Sequence, residues 1–245
     1  MIPEQLLRSL FIAKKDLTIY YLKGPVVIFG ILLPLFFFLA FWMGRDMSDL
    51  ALSVALTGMV LWFTSTSISP VVAPWETRTG TLERLIFSPV EDRWLIIGDV
   101  IASSLLGIAL TAVPVMITAL LLDVTVTNPL LLLLGVVLAS VCFSAIGVLM
   151  AAYPTDSPAN IMLIASLVKF PVIFISGIFI SVSELPGWAR IVSYCSPLTY
   201  FIDLANHCNG GEGEPLLDLA MLLMFGVLFI GLAIAAHRRT LLRRI

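Results

Sequence analysis

Long runs without charged residues are the feature of this sequence that most restricts its fold. An ionised side chain at the centre of a bilayer costs at least about 2.5 kcal/mol, so uncharged runs of about 20 apolar residues indicate membrane-spanning segments. A spanning β-barrel would instead show stretches of about ten residues with alternating polarity, which favours α-helices here. Six such runs occur, at about residues 25–43, 50–72, 95–122, 129–151, 159–180 and 216–236.

The composition also indicates an integral membrane protein. Of the 245 residues, 60% are apolar and 12% are charged, whereas a soluble domain has about 45–50% apolar and about 25% charged residues. The formal charge of −2 excludes a strongly basic nucleic-acid-binding protein. We therefore predict an all-α membrane protein with six transmembrane helices, forming one domain over residues 1–245.

The distribution of Lys and Arg predicts the orientation. With six spans, both termini lie on the same side as the connections 77–94 and 153–158. The opposite side holds only Arg45 and Arg190. Because short cytoplasmic loops are enriched in Lys and Arg, we expect both termini in the cytoplasm. The basic residues on that side are Arg8, Lys14, Lys15, Lys23, Arg78, Arg84, Arg93, Arg238, Arg239, Arg243 and Arg244.

Two segments outside the spans have patterns of their own. In residues 1–23, apolar side chains recur every three or four positions, which predicts an amphipathic helix at the cytoplasmic interface. Packing of this helix on the protein's own spans remains an equal alternative. The external segment 181–215 is apolar but interrupted by Pro186 and Pro197, so we expect short helices that re-enter the membrane.

Catalytic and metal-binding motifs are missing from the sequence. It has neither a phosphate-binding Gly-x-x-x-x-Gly-Lys-Ser/Thr loop nor a His-Glu-x-x-His zinc motif. His207 and His237 have no further ligands at metal-binding spacing. We therefore expect no catalytic residue, no metal site and no cofactor bound by this chain. Cys195 and Cys208 both lie on the external side, where a disulfide between them is possible.

Lys169 is the single cation within a predicted span. It lies about eleven residues, or about 16 Å, from the cytoplasmic start of the fifth helix, which is near the midplane of the bilayer. Such a residue is a candidate for contact with an anionic substrate group or for pairing with Asp99 on the third span. A structural role, with the side chain extended along the helix toward water, is the alternative.

The cytoplasmic connection at residues 76–89 contains a short amphipathic helix. Thr81 can begin this helix and Pro89 ends it. Apolar side chains three and four residues apart share one face and charged ones the other: Leu82, Leu85 and Ile86, against Glu83 and Arg84. Because two helical turns are not stable alone, the apolar face packs either on the protein's own helix ends or on another protein.

At these residues the chain resembles the membrane subunit of a type 2 ABC exporter. Two motifs carry the resemblance. The first motif, Glu-x-x-x-Gly-Thr-Leu-Glu-x-Leu-x-x-x-Pro, comprises Glu76, Gly80, Thr81, Leu82, Glu83, Leu85 and Pro89. The second comprises Phe174, Ser176, Gly177 and Phe179, followed by Leu185-Pro186 and Ser196-Pro197-Leu198-Thr199-Tyr200.

The sequence departs from the family pattern at two places. Relatives often have a charged residue where this chain has Thr77, and a proline where it has Ile180-Ser181.

The resemblance implies that ATP is handled by another chain. The helix at 76–89 would then be a coupling helix, with Leu82, Leu85 and Ile86 in a groove of the ATPase and Glu83 and Arg84 at its rim. Expected partners are two copies of an ATP-binding subunit carrying Mg-ATP, a second permease that is identical or paralogous, and lipid. Expected pathway residues are Lys169, Phe174, Ser176, Gly177 and Phe179.

The resemblance also implies export across the plasma (inner) membrane of a prokaryote. The substrate is expected to be hydrophobic or amphiphilic, either drug-like or lipid-like. A permease for polysaccharides or lipid-linked glycans is the alternative within the family. A secondary transporter or channel that does not use ATP is the alternative from another class, and it predicts internal repeats, of which the two halves of the sequence give no convincing sign.

Overall fold

Helices form all of the regular secondary structure in the described part of the chain. The structure is a computed structural model that describes residues 2–22, 30, 32–37, 39–40, 43, 48–122, 124–155, 157–211 and 213–240. Most of the first predicted span, at 25–43, lies outside the described residues. In chain order the helices are α1 (Ile2–Asp16), α2 (Asp49–Ser67), α3 (Ser69–Thr79), α4 (Thr81–Ile86), α5 (Asp92–Leu121), α6 (Pro129–Ala151), α7 (Pro158–Ile175), α8 (Gly187–Tyr194), α9 (Pro197–Cys208) and α10 (Pro215–Thr240).

Among the described residues, five helical stretches are long and apolar enough to cross a membrane: α2 with α3, then α5, α6, α7 and α10. The all-α fold is therefore confirmed for the described residues, with five candidate spans. Helix α2 lies in the middle of the bundle and is almost completely buried. At its centre the indole of Trp62 meets the ring of Phe143 of α6 edge to face, with ring centroids 4.9 Å apart.

The span formed by α2 and α3 bends at Ile68. Pro70 cannot donate the backbone hydrogen bond that would continue α2. In addition, the hydroxyls of Thr66 and Ser67 bond to carbonyls one turn back, at Trp62 and Phe63, a contact that bends helices. The predicted span ended at about residue 72, but α3 continues to Thr79.

Helix α1 packs on the start of α5. Ser9 and Ile12 contact Gly98 of α5, and a π-helical turn at Leu17–Tyr21 follows α1. This arrangement agrees with the alternative in which the N-terminal helix packs on the protein's own spans. The opposite side of α1 nevertheless remains apolar and exposed, at Leu6, Leu7, Leu10 and Phe11.

The positions of the helix termini define two opposite ends of the bundle. Residues near the start of α5 and the end of α6 pack with Ala233 near the end of α10, so α1, the start of α5 and the end of α10 lie together. We call this the basic end. At the other end, Thr127 donates a side-chain hydrogen bond of 2.8 Å to the carbonyl of Cys208, so α9 lies against the connection between α5 and α6.

The segment at 181–215 forms a short 3-10 turn at Val182–Glu184, then α8 and α9. Helix α9 is largely buried against α2, α6 and α10 through Phe201 and Leu204. In helix α8, by contrast, most of the apolar side chains are exposed, including Trp188 and Ile191.

The disulfide that the sequence left possible is absent, because both Cys195 and Cys208 are free thiols. Cys195 is exposed just after α8, and Cys208 is buried at the last position of α9. The 12-residue helix between them holds its ends roughly 18 Å apart. Disulfides require Cα atoms about 4.4–6.8 Å apart, so this separation excludes the bond.

We expect Cys195 to react with a maleimide in the folded protein without any reductant. Burial raises the pKa of the Cys208 thiol to about 11, so at pH 8 it is almost entirely in the unreactive protonated form. Mass spectrometry after labelling should find Cys195 modified first, and Cys208 modified only after denaturation. Labelling of Cys195 that requires prior reduction would contradict this assignment.

Candidate functional site

A partly buried ion pair connects α1 to α3 at the basic end. The ammonium of Lys15 contacts the carboxylate of Glu76 and lies 3.0 Å from an oxygen of Asp16. Burial alone would lower the pKa of Lys15, but the neighbouring Asp16 and Glu76 carboxylates outweigh burial and raise it above its ordinary value. Lys15 is therefore charged at neutral pH.

Glu76 lies in the last turn of α3, not on the short helix that follows. Only 3% of the residue is exposed, and its carboxylate faces Lys15. Although sequence analysis assigned Glu76 to the surface that binds an ATPase, this carboxylate is therefore an internal contact between α1 and α3.

Gly80 forms the turn between α3 and α4. Its φ of 67° and ψ of 15° lie in the left-handed region, which glycine adopts without the steric cost of a Cβ atom. Thr81 begins α4, as predicted, and its hydroxyl donates to the carbonyl of Glu76 at 3.3 Å. The turn thus fixes the direction of α4 relative to α3.

Helix α4 has one buried side and one exposed side. Leu82 is only 2% exposed, so the prediction that it lies in a groove of another protein needs correction: its side chain is packed inside this chain. Leu85 is half-buried, whereas Glu83 and Arg84 are exposed. The side chain of Ile86 lies outside the described part of the structure.

Phe87, directly after α4, is 80% exposed. Sequence analysis did not select this residue, because it follows the three apolar positions that define the helical face. An aromatic side chain with so much of its surface in water is a candidate contact for another protein.

The segment after α4 is also tied to α1. The carbonyl of Pro89 accepts a hydrogen bond from the guanidinium of Arg8 and another, of 3.3 Å, from the amide of Gln5. Pro89 ends the predicted helix, but these contacts could not be read from the sequence, since about eighty residues separate the partners. We refer to α1, the end of α3, α4 and Pro89 together as the junction.

A cavity of roughly 370 Å³ lies between the α2–α3 bend and α7. Its volume falls in the range of small-molecule sites, which is about 300–1,000 Å³. Trp75 of α3 lines it and also stacks on Tyr20, with ring centroids 5.6 Å apart, so the cavity wall is in contact with the π-helical turn after α1. The described lining residues are Gly30, Leu33, Phe63, Ser67, Ile68, Pro70, Trp75, Met162, Ala165, Ser166, Lys169 and Phe170.

Lys169 lines this cavity and is 7% exposed. Its backbone carbonyl accepts a hydrogen bond of 3.3 Å from the indole of Trp62. No carboxylate in the described ranges forms an ion pair with its ammonium. The predicted alternative of a pair with Asp99 is wrong, since Asp99 faces Asp16 near the basic end.

The other predicted pathway residues lie at the far end of α7. Ser176 is buried and donates to the carbonyl of Ile173 at 3.0 Å, and Gly177, with φ of 89°, turns the chain. The helix therefore ends at Ile175, earlier than the predicted residue 180. Phe174 and Phe179 contact each other, with ring centroids 5.4 Å apart. None of these residues lines the cavity around Lys169.

One family model, described as "ABC-2 type transporter", matches residues 13–207. The matched part includes every described residue that lines the cavity, together with the Lys15–Glu76 pair and α4. None of the curated proteins matches the chain.

We expect Gly80→Ala to destabilise the protein by about 1 kcal/mol, because a Cβ disfavours the left-handed backbone. No atom lies within 4 Å of the added Cβ, so backbone strain is the cause and a steric clash is not. Gly231→Ala is the matched control: it also adds a methyl group into open space, but within helix α10. The measurement is the midpoint of thermal unfolding in detergent.

The control should unfold at or slightly above the native temperature, since alanine favours a helix over glycine. Gly80→Asn should lose less stability than Gly80→Ala, because asparagine tolerates the left-handed region. If Gly80→Ala and Gly231→Ala unfold at the same temperature, the left-handed turn does not contribute as described.

Proposed function

This chain belongs to the ABC-2 type transporter family and is an ABC permease, and we propose that it is the membrane subunit of an ATP-driven exporter. Two copies of a separate ATP-binding subunit bind and hydrolyse Mg-ATP. A second permease, identical or paralogous, completes the transmembrane pathway. The complex acts in the plasma membrane of a prokaryote, with both termini of this chain in the cytoplasm.

The observation that carries the proposal is the two-sided α4 at the basic end. Its inner side is fixed by the buried Leu82, and its outer side presents Glu83, Arg84 and the exposed Phe87. We propose that Phe87 enters an apolar groove of the ATP-binding subunit, while the two charged side chains contact the rim. This assignment replaces Leu82 with Phe87 as the central docking residue.

Helix α3 connects this docking surface to the cavity. It has 11 residues and is about 16 Å long, with Pro70 and Trp75 in the cavity wall. When ATP brings the two ATP-binding subunits together, two α4 helices are displaced. Each α3 transmits that displacement to the bend below it, and the cavity changes shape between inward and outward states.

Helix α7 is suited to face the second permease. It is among the least buried of the candidate spans, and its exposed apolar side chains lie beside the cavity. We propose that Lys169 and Phe174 line a pathway between the two permeases, and that Ser176, Gly177 and Phe179 shape its outer end. The exposed apolar residues are Met162, Leu163, Leu167, Val168 and Phe174.

The lining of the cavity supports a hydrophobic or amphiphilic substrate. Aromatic and aliphatic side chains make up most of the described wall, including Phe63, Trp75 and Phe170. A site for a sugar chain would instead need many hydrogen-bonding groups to match the hydroxyls of its ligand.

Phe87→Asp should abolish substrate-stimulated ATP hydrolysis, because a carboxylate cannot enter an apolar groove without losing its hydration. The measurement uses the permease co-expressed with the ATP-binding subunit from an adjacent reading frame, purified and reconstituted in liposomes. Co-purification of the two subunits should fall with the activity. Since Phe87 is exposed, the unfolding temperature of the permease alone should not change.

Phe87→Leu is the matched control and should keep most of the coupling, since it keeps an apolar side chain at the same position. A Phe87→Asp complex that still assembles and transports would overturn the docking proposal. Transport by the purified permease without any ATPase would overturn the proposed function itself. Leu82→Asp is a poor test, because a buried carboxylate would disturb the fold of this chain directly.

A further inference from the structure

Lys169 is the single ionisable side chain among the described residues that line the cavity. The remaining described wall is apolar except for the hydroxyls of Ser67 and Ser166 and the indole N–H of Trp75. Both hydroxyl protons are already used, since Ser67 donates to the carbonyl of Phe63 and Ser166 donates to that of Met162 at 2.8 Å. Lys169 therefore determines which charge the cavity prefers.

The nearest comparison is Lys15, a half-buried lysine at the basic end. Lys15 has two carboxylates in contact, from Asp16 and Glu76, whereas Lys169 has no carboxylate partner in the described ranges. The acidic groups that could have paired with it, Glu76 and Asp99, face Lys15 and Asp16 at the basic end. A lysine amine that is buried in an apolar cavity of roughly 370 Å³, with no carboxylate partner among the described residues, favours an anionic ligand, because the ligand's negative charge stabilises the protonated amine.

We propose that this cavity binds an amphiphile with one acidic group, such as a carboxylate, phosphate or sulfate. The acidic group contacts the ammonium of Lys169, and the alkyl or aryl part lies against Phe63, Trp75 and Phe170. This inference rests on the proposed function only for the direction in which such a ligand is moved, because binding requires neither the ATP-binding subunit nor ATP.

Lys169 is placed so that it can contact the acidic group of the ligand while apolar side chains of the cavity contact the rest of the molecule. Lys169 lies roughly 16 Å from the start of α7, so an acidic group held there is near the middle of the span. Low local polarity strengthens the attraction between the two charges. The bend at Ile68 and Pro70 forms the facing wall, so the same movement of α3 that reshapes the cavity would weaken or restore the ligand's apolar contacts.

The test is a binding measurement with the full-length permease in phosphatidylcholine nanodiscs. The probes are 11-(dansylamino)undecanoic acid and its methyl ester, which differ in the negative charge and in one methyl group, and fluorescence gives their dissociation constants. The native protein should bind the acid at least about tenfold more tightly than the ester, as expected for one buried charge contact. Lys169→Met should abolish that preference while the affinity for the ester stays within about twofold.

Lys14→Met is the matched control, because it makes the same substitution at an exposed lysine that does not line the cavity. This variant should keep the preference for the acid. Unchanged ester binding shows that the Lys169→Met protein is folded and that its cavity is intact. Equal binding of acid and ester by the native protein, or a preference for the acid that survives in Lys169→Met, would overturn the inference.

The ligand can be an exported molecule or a resident anionic phospholipid, and a second measurement separates these sources. In liposomes containing the permease and its ATPase, ATP-dependent release of the acid that is lost in Lys169→Met indicates an exported substrate. Displacement of the acid by phosphatidylglycerol, without ATP-dependent release, indicates a resident lipid. A failure of ATPase coupling leaves the binding result intact, and a failure of binding leaves the coupling result intact.

Discussion

The contact between Lys15 and Glu76 is the interaction on which the arrangement of the basic end depends. Removing Lys15 would leave the carboxylate of Glu76, which is only 3% exposed, without a compensating charge. The contact therefore holds α1 against the last turn of α3. Two further contacts extend this unit: the carbonyl of Pro89 binds side chains of α1, and the Gly80 turn orients α4. A force applied to α4 thus acts on three packed segments together and not on a loose loop.

The unit formed by α1, α3 and α4 ends at the bend at Ile68, where α3 meets α2. Because the backbone hydrogen-bond pattern is interrupted at Pro70, α3 can change direction relative to α2 more easily than an uninterrupted helix could. Helix α2 is fixed in the centre of the bundle, so a displacement of the junction is taken up at the bend. Since Ser67, Ile68 and Pro70 all line the cavity, its shape depends directly on the angle at this point.

The five spans of the described residues were predictable in position, because the cost of burying charge marks the limits of a span in the sequence itself. Helix α6 was predicted at 129–151 and is observed at Pro129–Ala151. The prediction failed where contacts between distant residues decide the structure. Helix α3 continues past residue 72 to Thr79, and its Glu76 contacts a partner in α1, sixty-one positions away. Periodicity placed Leu82 on an apolar face, but it could not tell whether this chain or another covers that face. The sequence alone could not exclude a disulfide between Cys195 and Cys208, because the rigid helix that separates them is visible only in the structure.

The half-buried Lys15 and the buried Lys169 lie in opposite electrostatic environments. The charge of Lys15 is balanced by carboxylates of the same chain. Its electrostatic interaction therefore stabilises the packing of α1 on α3 and is not available to a ligand. The charge of Lys169 has no such balance within the described residues, so its interaction energy is available to a ligand. Helix α3 runs between these two environments, from Glu76 at one end to the cavity wall at the other. A displacement at the basic end therefore reaches the surroundings of Lys169 through one short helix. This connection provides a physical route by which an event outside the membrane can change the affinity of a site within it.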